Sequence, residues 1–535
     1  MKHLRYVCRY HSSHRSNGLS TPIYLLAALF ALLLATPSEP QTAPADTSID
    51  GQHYALLPIE TLIAQLSRNI SLPITYRHIA FQGRLFAALD TVHAPLDLED
   101  IHFLDEVALN DVVFAAPIRI RQTVFANGLA LQRSHFLAPA DFSAGLFHKH
   151  ATFKEAVFLA GVDFSTNHYT GIASFIGADF AGRKTAFTRT IFDNAAYFDG
   201  ARFTGRANFQ DAAFADLASF KETLWQHNAF FAGARFAGRT LFWDAHFTAE
   251  TTFATARADG EIAFNRASFA GPASFAGFIF GQSALFNRTT FADEATFAGA
   301  YFRKRADFTD GTFRGDLRLN AFFNQSLDLR RARISLLDLQ LPTSSDSLLA
   351  TGARLYLQQA HYQHLLTRWR PLAHHLAASD TLATNDDDLE PVYANLCRHL
   401  QAQGLRRDAD DCFVESLQQQ RHHMGWTEPG LYALSLLQTA TRYGTDPTRF
   451  ASTILCIVLL FGLTYRLGRS ALETPHDNSP PTLADCLLFS VQTFIRHSAP
   501  SLRPTGPMRW LVCLQALLGW LCLGLLVATL LSRLA

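Results

Sequence analysis

Bulky apolar residues recur along this chain at steps that alternate six and five: Phe136, Phe142, Phe147, Phe153, Phe158 and Phe164, then Tyr169, Phe175 and Phe180. The beat restarts one residue late at Phe187, runs to Phe253, resumes after Ala258 at Phe264 and reaches Phe313. Neither the 3.6-residue period of a helix nor the two-residue period of a half-buried strand produces it. A coil that turns a corner every few residues does, each bulky side chain marking one side of a solenoid. Two positions before most aromatics stands a small residue, as at Ala140, Ala151, Ala178 and Ala306. A narrow interior can hold stacked rings only where each is matched by a side chain that leaves it room. The polar residues and glycines in between suit exposed faces and corners.

The same beat runs backwards through Phe125, Phe114 and Phe103 and forwards to Leu319, then steps by five at Leu329, Ile334 and Leu339. These limits predict a β-solenoid over 75–340, with Phe142, Phe153, Phe164, Phe203, Phe214, Phe236, Phe269, Phe291 and Phe308 in its core. Open strand edges at its ends need covers. Before it, within 46–74, Leu57, Ile59, Leu62, Ile63 and Leu66 predict a short amphipathic helix over the first coil.

From 341 to 445 helical spacing replaces the beat. Val392, Leu396, Cys397 and Leu400 form one apolar face that Gly404 ends, and Ala409, Cys412, Phe413 and Leu417 form a second. An antiparallel hairpin would bring Cys397 and Cys412 face to face; a disulfide and two buried thiols are both open readings. His361 and His364 are placed one helical turn apart, but no Cys or carboxylate pattern completes a metal-ligand set.

The last unit, 446–535, holds an apolar run from Phe450 to Tyr465 and a full-length one from Trp510 to Leu531. Gln515 is the polar exception in the second, either bonding between helices or lining an aqueous path, and Gly519 and Gly524 allow close helix approach. At the other terminus, Lys2, Arg5, Arg9 and Arg15 precede the apolar stretch Ile23–Ala35 and the small residues Ala43-Pro44-Ala45. This three-part pattern predicts a signal peptide or signal anchor over 1–45, and with it export of the solenoid.

Composition narrows the functions. Lys plus Arg equals Asp plus Glu at 46 each in 535 residues, so no global field attracts nucleic acid. No nucleophile elbow, phosphate-binding glycine loop, zinc motif or dinucleotide fingerprint stands in a strand–helix setting, so no catalytic residue and no cofactor is expected.

The repeats ADFSAGLF, ARFTGRANF, ASFAGPASF and ATFAGAYFRKRADF resemble the Phe-centred class of pentapeptide repeats. The resemblance implies a right-handed, four-sided β-helix whose Phe points inward; four sides of alternating step make a turn of about 22 residues and a rod of roughly 50 Å. The stretch VYANLCRHLQAQGLRRDADDCFVESLQQQR resembles the linker of membrane-attached members, and YGTDPTRF the entry to their membrane part. Between the two spans, DCLLFSVQTF, within 483–495, resembles the pore helix of two-span potassium-channel-like domains, and Pro504, Gly506 and Arg509 fall where that family leaves its filter. On this resemblance Phe489, Ser490, Thr493, Arg496 and Pro504 are pore-loop residues. The filter is missing: Thr493 is followed by Phe494-Ile495-Arg496-His497-Ser498-Ala499-Pro500, with no glycine to turn carbonyls onto an ion and with Arg496 to repel one. Selective potassium conduction is therefore not expected. Nor is the DNA mimicry known in the family, which needs an acidic surface. The expectation is a non-enzymatic protein of a bacterial inner or plasma membrane, its solenoid extracytoplasmic and meeting a protein partner, its membrane unit touching lipid and forming homo-oligomers. The alternative is an ion-channel or transport subunit with a degenerate pore loop.

Overall fold

In a computed structural model the described residues are 45–49, 51–68, 72–86, 89–340, 348–378, 389–473, 481–495 and 502–534. The expected signal segment falls almost wholly outside them. From residue 74 the chain coils as a β-solenoid in which each turn has four short strands. Ala140–Asp141, Leu146–Phe147, Ala151–Thr152 and Val157–Phe158 follow one another, and Val162–Asp163 then lies parallel over the first. One side alone stacks thirteen strands, from Leu85–Phe86 to Arg354–Tyr356, a rod on the order of 60 Å at ordinary strand spacing.

The alternating step comes from two kinds of corner. After Phe153 the Ala156 N–H donates to the Phe153 carbonyl at 3.1 Å, and Glu155 adopts φ 56°. This is a type II turn, which requires a positive φ at its third residue. The same turn recurs at Phe175, Phe187, Phe198 and Phe209, so a left-handed residue appears about every eleven positions, Arg133, Thr166, Arg189 and Arg266 among them. Each such non-glycine residue costs roughly 1–2 kcal/mol, offset by the hydrogen bonds and rings that hold the turn on both sides. The next corner lacks this turn and takes one residue more, giving the six. There the backbones of successive turns crowd: a Cβ at Gly182 would overlap the Ala160 carbonyl, so only glycine fits.

Inside, the rings form four columns. Along a column they stack nearly parallel, as Phe153 on Phe175 at 5.0 Å and 1°; between columns they meet edge to face, as Phe198 with Phe209 on opposite sides of the coil at 5.4 Å and 84°. Both arrangements suit the ring quadrupole. All nine expected core phenylalanines are buried. The columns tolerate a polar ring only where a partner accompanies it. Trp225 stacks on Phe203 and donates its indole N–H to Thr223 Oγ1 at 2.9 Å, and the Tyr169 hydroxyl accepts from Asn167 Nδ2 at 3.2 Å. Thr223 and Asn167 occupy the small-residue position two before their aromatic, where alanine usually stands. In the first turns Leu, Ile and Val replace most rings and fill the axis less well, leaving an apolar cavity of about 30 Å³ beside Leu62, Leu98 and Phe103.

The helix α1 (Ile59–Leu66) covers the first turn with Ile59, Leu62 and Leu66 buried. At the far end the coil passes the expected boundary at 340. Arg354–Tyr356 stacks on Ser326–Asp328 and His361–Leu366 on Arg333–Asp338, both in parallel. His361 and His364 therefore lie on a strand, correcting their placement on a helix, and both are exposed. The helical hairpin starts later than 341, with α2 (Glu390–Ala402) and α3 (Arg406–His423). It caps the solenoid with directed polar contacts. Gln403 Nε2 donates to the Leu365 carbonyl, Glu415 accepts from the His374 N–H at 2.8 Å, and Tyr362 packs against His399.

Candidate functional site

The chain leaves the hairpin through α4 (Pro429–Thr441) and enters α5 (Pro447–Leu467). Asp446 caps α5, its Oδ1 accepting from the N–H groups of Thr448 and Arg449 at 3.0 and 3.1 Å. After α5 come the short helix α6 (Leu483–Ile495) and then α7 (Met508–Leu534). Two segments, Pro447–Leu467 and Met508–Val527, are long and apolar enough to cross a membrane. Leu472–Glu473 pairs antiparallel with Arg503–Pro504, tying the end of α5 to the start of α7 on one side. Pro504 thus sits in a two-residue strand.

Helix α6 is inserted between α5 and α7. Its first half packs near the tied ends, Phe489 meeting Tyr465 at 5.1 Å. Its second half lies deep: Phe494 is buried among Phe450, Val458 and Cys522, and a Cβ at Gly519 would overlap the Phe494 carbonyl. Gly519 is eleven residues into α7, so this contact lies about 16 Å along that helix. Leu502 is again beside Tyr465 and Leu472. Cys486 near the start of α6 and Leu502 thus belong to one cluster with Tyr465 and Leu472, while the end of α6 packs farther along α7. Gly524, expected to share the close approach, faces open space.

One polar cluster joins the three helices. Gln515 is fully buried; its Oε1 accepts from the Tyr465 hydroxyl at 2.6 Å, and its Nε2 donates to Ser490 Oγ at 2.7 Å and the Ser490 carbonyl at 3.0 Å. Ser490 Oγ donates in turn to the Val458 carbonyl at 2.8 Å. Gln515 spends its hydrogen bonds between helices, so of the two readings open for it, the water-lined one has no support in this geometry. Sequence reasoning named Gln515 and Ser490 separately and missed Tyr465, whose signal is a phenol in the last turn of an apolar run. Thr493 is buried on α6, and Arg496 lies outside the described residues.

In the hairpin, Cys397 and Cys412 face each other as free thiols, Cys412 buried and Cys397 half-buried. Each thiol donates to a carbonyl of the opposite helix, Cys397 to Ala409 at 3.7 Å and Cys412 to Tyr393 at 3.9 Å, and the interaction between the two thiols holds Cys397 below its ordinary range and, with burial, pushes Cys412 up. Glu415 lies in the same interface, 3.3 Å from the Tyr393 hydroxyl.

The solenoid surface is a lattice of ion pairs set by the turn. Arg133, Arg266 and Arg331 grip Asp111, Asp244 and Asp310 of the turn before with two bonds each, at 2.5–2.9 Å. Each guanidinium holds its carboxylate below the usual range. Among the described residues no three His, Cys, Asp or Glu side chains gather as a metal site.

Comparison with known families agrees with the coil. The model described as pentapeptide repeats (9 copies) matches residues 187–224. These turns are pentapeptide repeats. The matched span covers turns in which Phe187 stacks on Phe209 and Phe198 on Phe220. No curated protein and no solved structure matches the chain.

Proposed function

We propose that this chain is a non-enzymatic, membrane-anchored interaction or sensing protein, in which the pentapeptide-repeat rod presents its polar sides to a protein partner and the hairpin couples it to a channel-like membrane unit. The observation that carries this reading is the closed polar cluster of Tyr465, Ser490 and Gln515. It uses the buried polar groups of the three helices to hold them together, leaving none of the three aimed at a conduction path. The rod supports the other half of the reading, since its sides carry ion pairs between successive turns and its interior is filled by rings. The charged and apolar pattern of residues 1–45 supports an extracytoplasmic solenoid in this reading.

A second reading, a channel or transport subunit, is favoured by the insertion of α6 between two spans. Ion flux through the reconstituted protein, compared with Arg496→Ala, separates the two. No selective flux from either protein is expected; a robust selective current would reject the scaffold reading. A compartment-sensitive reporter fused after residue 345 should be active only outside the cytoplasm.

A further inference from the structure

The helix α4 has a surface that the rest of the fold does not use. Its thirteen residues, Pro429–Thr441, contain no Asp, Glu, Lys or Arg. Its hydroxyls are turned inward: Ser435, Thr439 and Thr441 donate to the carbonyls of Leu431, Ser435 and Leu437 at 2.7, 2.8 and 2.9 Å. Such back-bonding hides polar atoms that water would otherwise solvate. Its most exposed large side chains are apolar, Tyr432 at 65% and Leu436 at 68% one turn apart and Trp426 just before it at 88%, with Thr439 exposed and Gln438 partly exposed near its end. At about 20 Å the helix is too short to span a bilayer.

Its position says what covers it. Helix α4 ends six residues before α5 begins, and Thr453 of α5 donates to the Ala440 carbonyl at 2.8 Å, so the end of α4 is fixed against the start of the first span. Arg442 and Arg449 flank that junction, and Arg449 is exposed.

We propose that α4 lies in the bilayer interface, on the face of the membrane where α5 begins, with Tyr432 and Leu436 among the acyl chains next to the headgroups and Trp426 in the aromatic belt. A helix partitions to this depth by burying a face of aromatic and leucine side chains, and Trp and Tyr favour it. The helix then fixes the tilt of the hairpin, and of the solenoid it caps, relative to the membrane. The inference rests on the reading of α5 and α7 as spans.

The test is photocrosslinking of the full chain reconstituted in vesicles of phosphatidylcholine and phosphatidylglycerol, with benzoylphenylalanine at Tyr432, Leu436, Leu459 or Thr204. Tyr432 and Leu436 should give lipid adducts near the glycerol, Leu459 in the first span should give adducts farther down the chains, and Thr204 on the solenoid should give none. Lipid adducts from Leu459 but none from Tyr432 and Leu436, or adducts from those two to a second copy of the chain, would overturn the inference while leaving the spans intact. Absence of adducts from Leu459 as well would remove the membrane reading and this inference with it.

Discussion

Phe278 stacks on Phe280 with ring centroids 4.0 Å apart and planes 13° apart, one turn above Ala258. Ala258 stands in the column that carries Phe214 and Phe236 before it and Phe280 and Phe302 after it, and Phe278 stands where neighbouring turns carry Ala256 or Ala300. The two departures from the pattern are one event: a ring lost from the column is returned from the small-residue position of the next turn. Phe278→Ala should cost about 3–5 kcal/mol through the cavity it opens, and Ala258→Phe alone about 1–3 kcal/mol through overpacking. The double variant should recover most of the loss, and a denaturation cycle that finds the two costs additive would show the sites to be independent.

Trp225 and Thr223 make a similar pair in chemistry rather than volume. Thr223→Ala should destabilise by about 1–3 kcal/mol, because the indole N–H is left buried without an acceptor. In a Trp225→Phe background the same change should cost much less. Equal costs in both backgrounds, measured by urea unfolding, would refute the coupling.

At the covered end of the rod, His78 Nδ1 lies 2.7 Å from Asp100 Oδ2. The hydrogen bond to Asp100 raises the His78 pKa above its ordinary value of about 6.5. A raised folded-state value means the pair's contribution is fully present below the unfolded value and is lost as the pH rises through the folded one. NMR titration of the His78 ring should give a midpoint above that of a free histidine, and Asp100→Asn should lower it. An unchanged midpoint in the variant would assign the shift elsewhere.

Cys397 and Cys412 test the hairpin. Exposed to an oxidised thiol such as glutathione disulfide, the half-buried Cys397 thiolate should attack it, and Cys412 should then displace the second thiol to close an intramolecular disulfide, two protein thiols being oxidised as the reagent is reduced to two thiols. The closed loop is close to the length for which chain entropy contributes about 3 kcal/mol. Intact mass should fall by two hydrogens and thermal stability should rise; a stable mixed disulfide on Cys397 would show that Cys412 cannot reach it.

The parts of the fold legible in the sequence are those in which one residue type carries the geometry. Phenylalanine every five or six positions can only be a stack, so the columns from Phe136 to Phe313 were readable ring by ring. The last turns were not, because there the columns change to smaller side chains: Leu357, Ala360 and Tyr362 repeat the spacing of Leu329, Ala332 and Ile334, yet His361 and His364 three apart mimic a helix face. The corner geometry was hidden for a different reason. The left-handed position is filled by Arg, Glu and Thr as well as Gly, so no glycine signal marks it. In the membrane unit, apolar length was plain, whereas the partners of Gln515 depend on how three helices meet.

Those partners give the last prediction. Gln515→Leu removes both the acceptor of the Tyr465 hydroxyl and the donor to Ser490, while Gln515→Asn keeps the chemistry on a side chain one methylene shorter. In a bilayer each such bond is worth about 0.6 kcal/mol on average and at most about 1.7 kcal/mol, since polar groups find other partners in the loosened state. Gln515→Leu should therefore lower resistance to unfolding by about 1–3 kcal/mol in reconstituted protein without creating or abolishing ion flux, if the cluster is a fastening. Tyr465→Phe should weaken the same state and add little on top of Gln515→Leu. A variant that leaves stability unchanged but opens an ion leak would make the cluster a gate, and would move the weight of the observations to the channel reading.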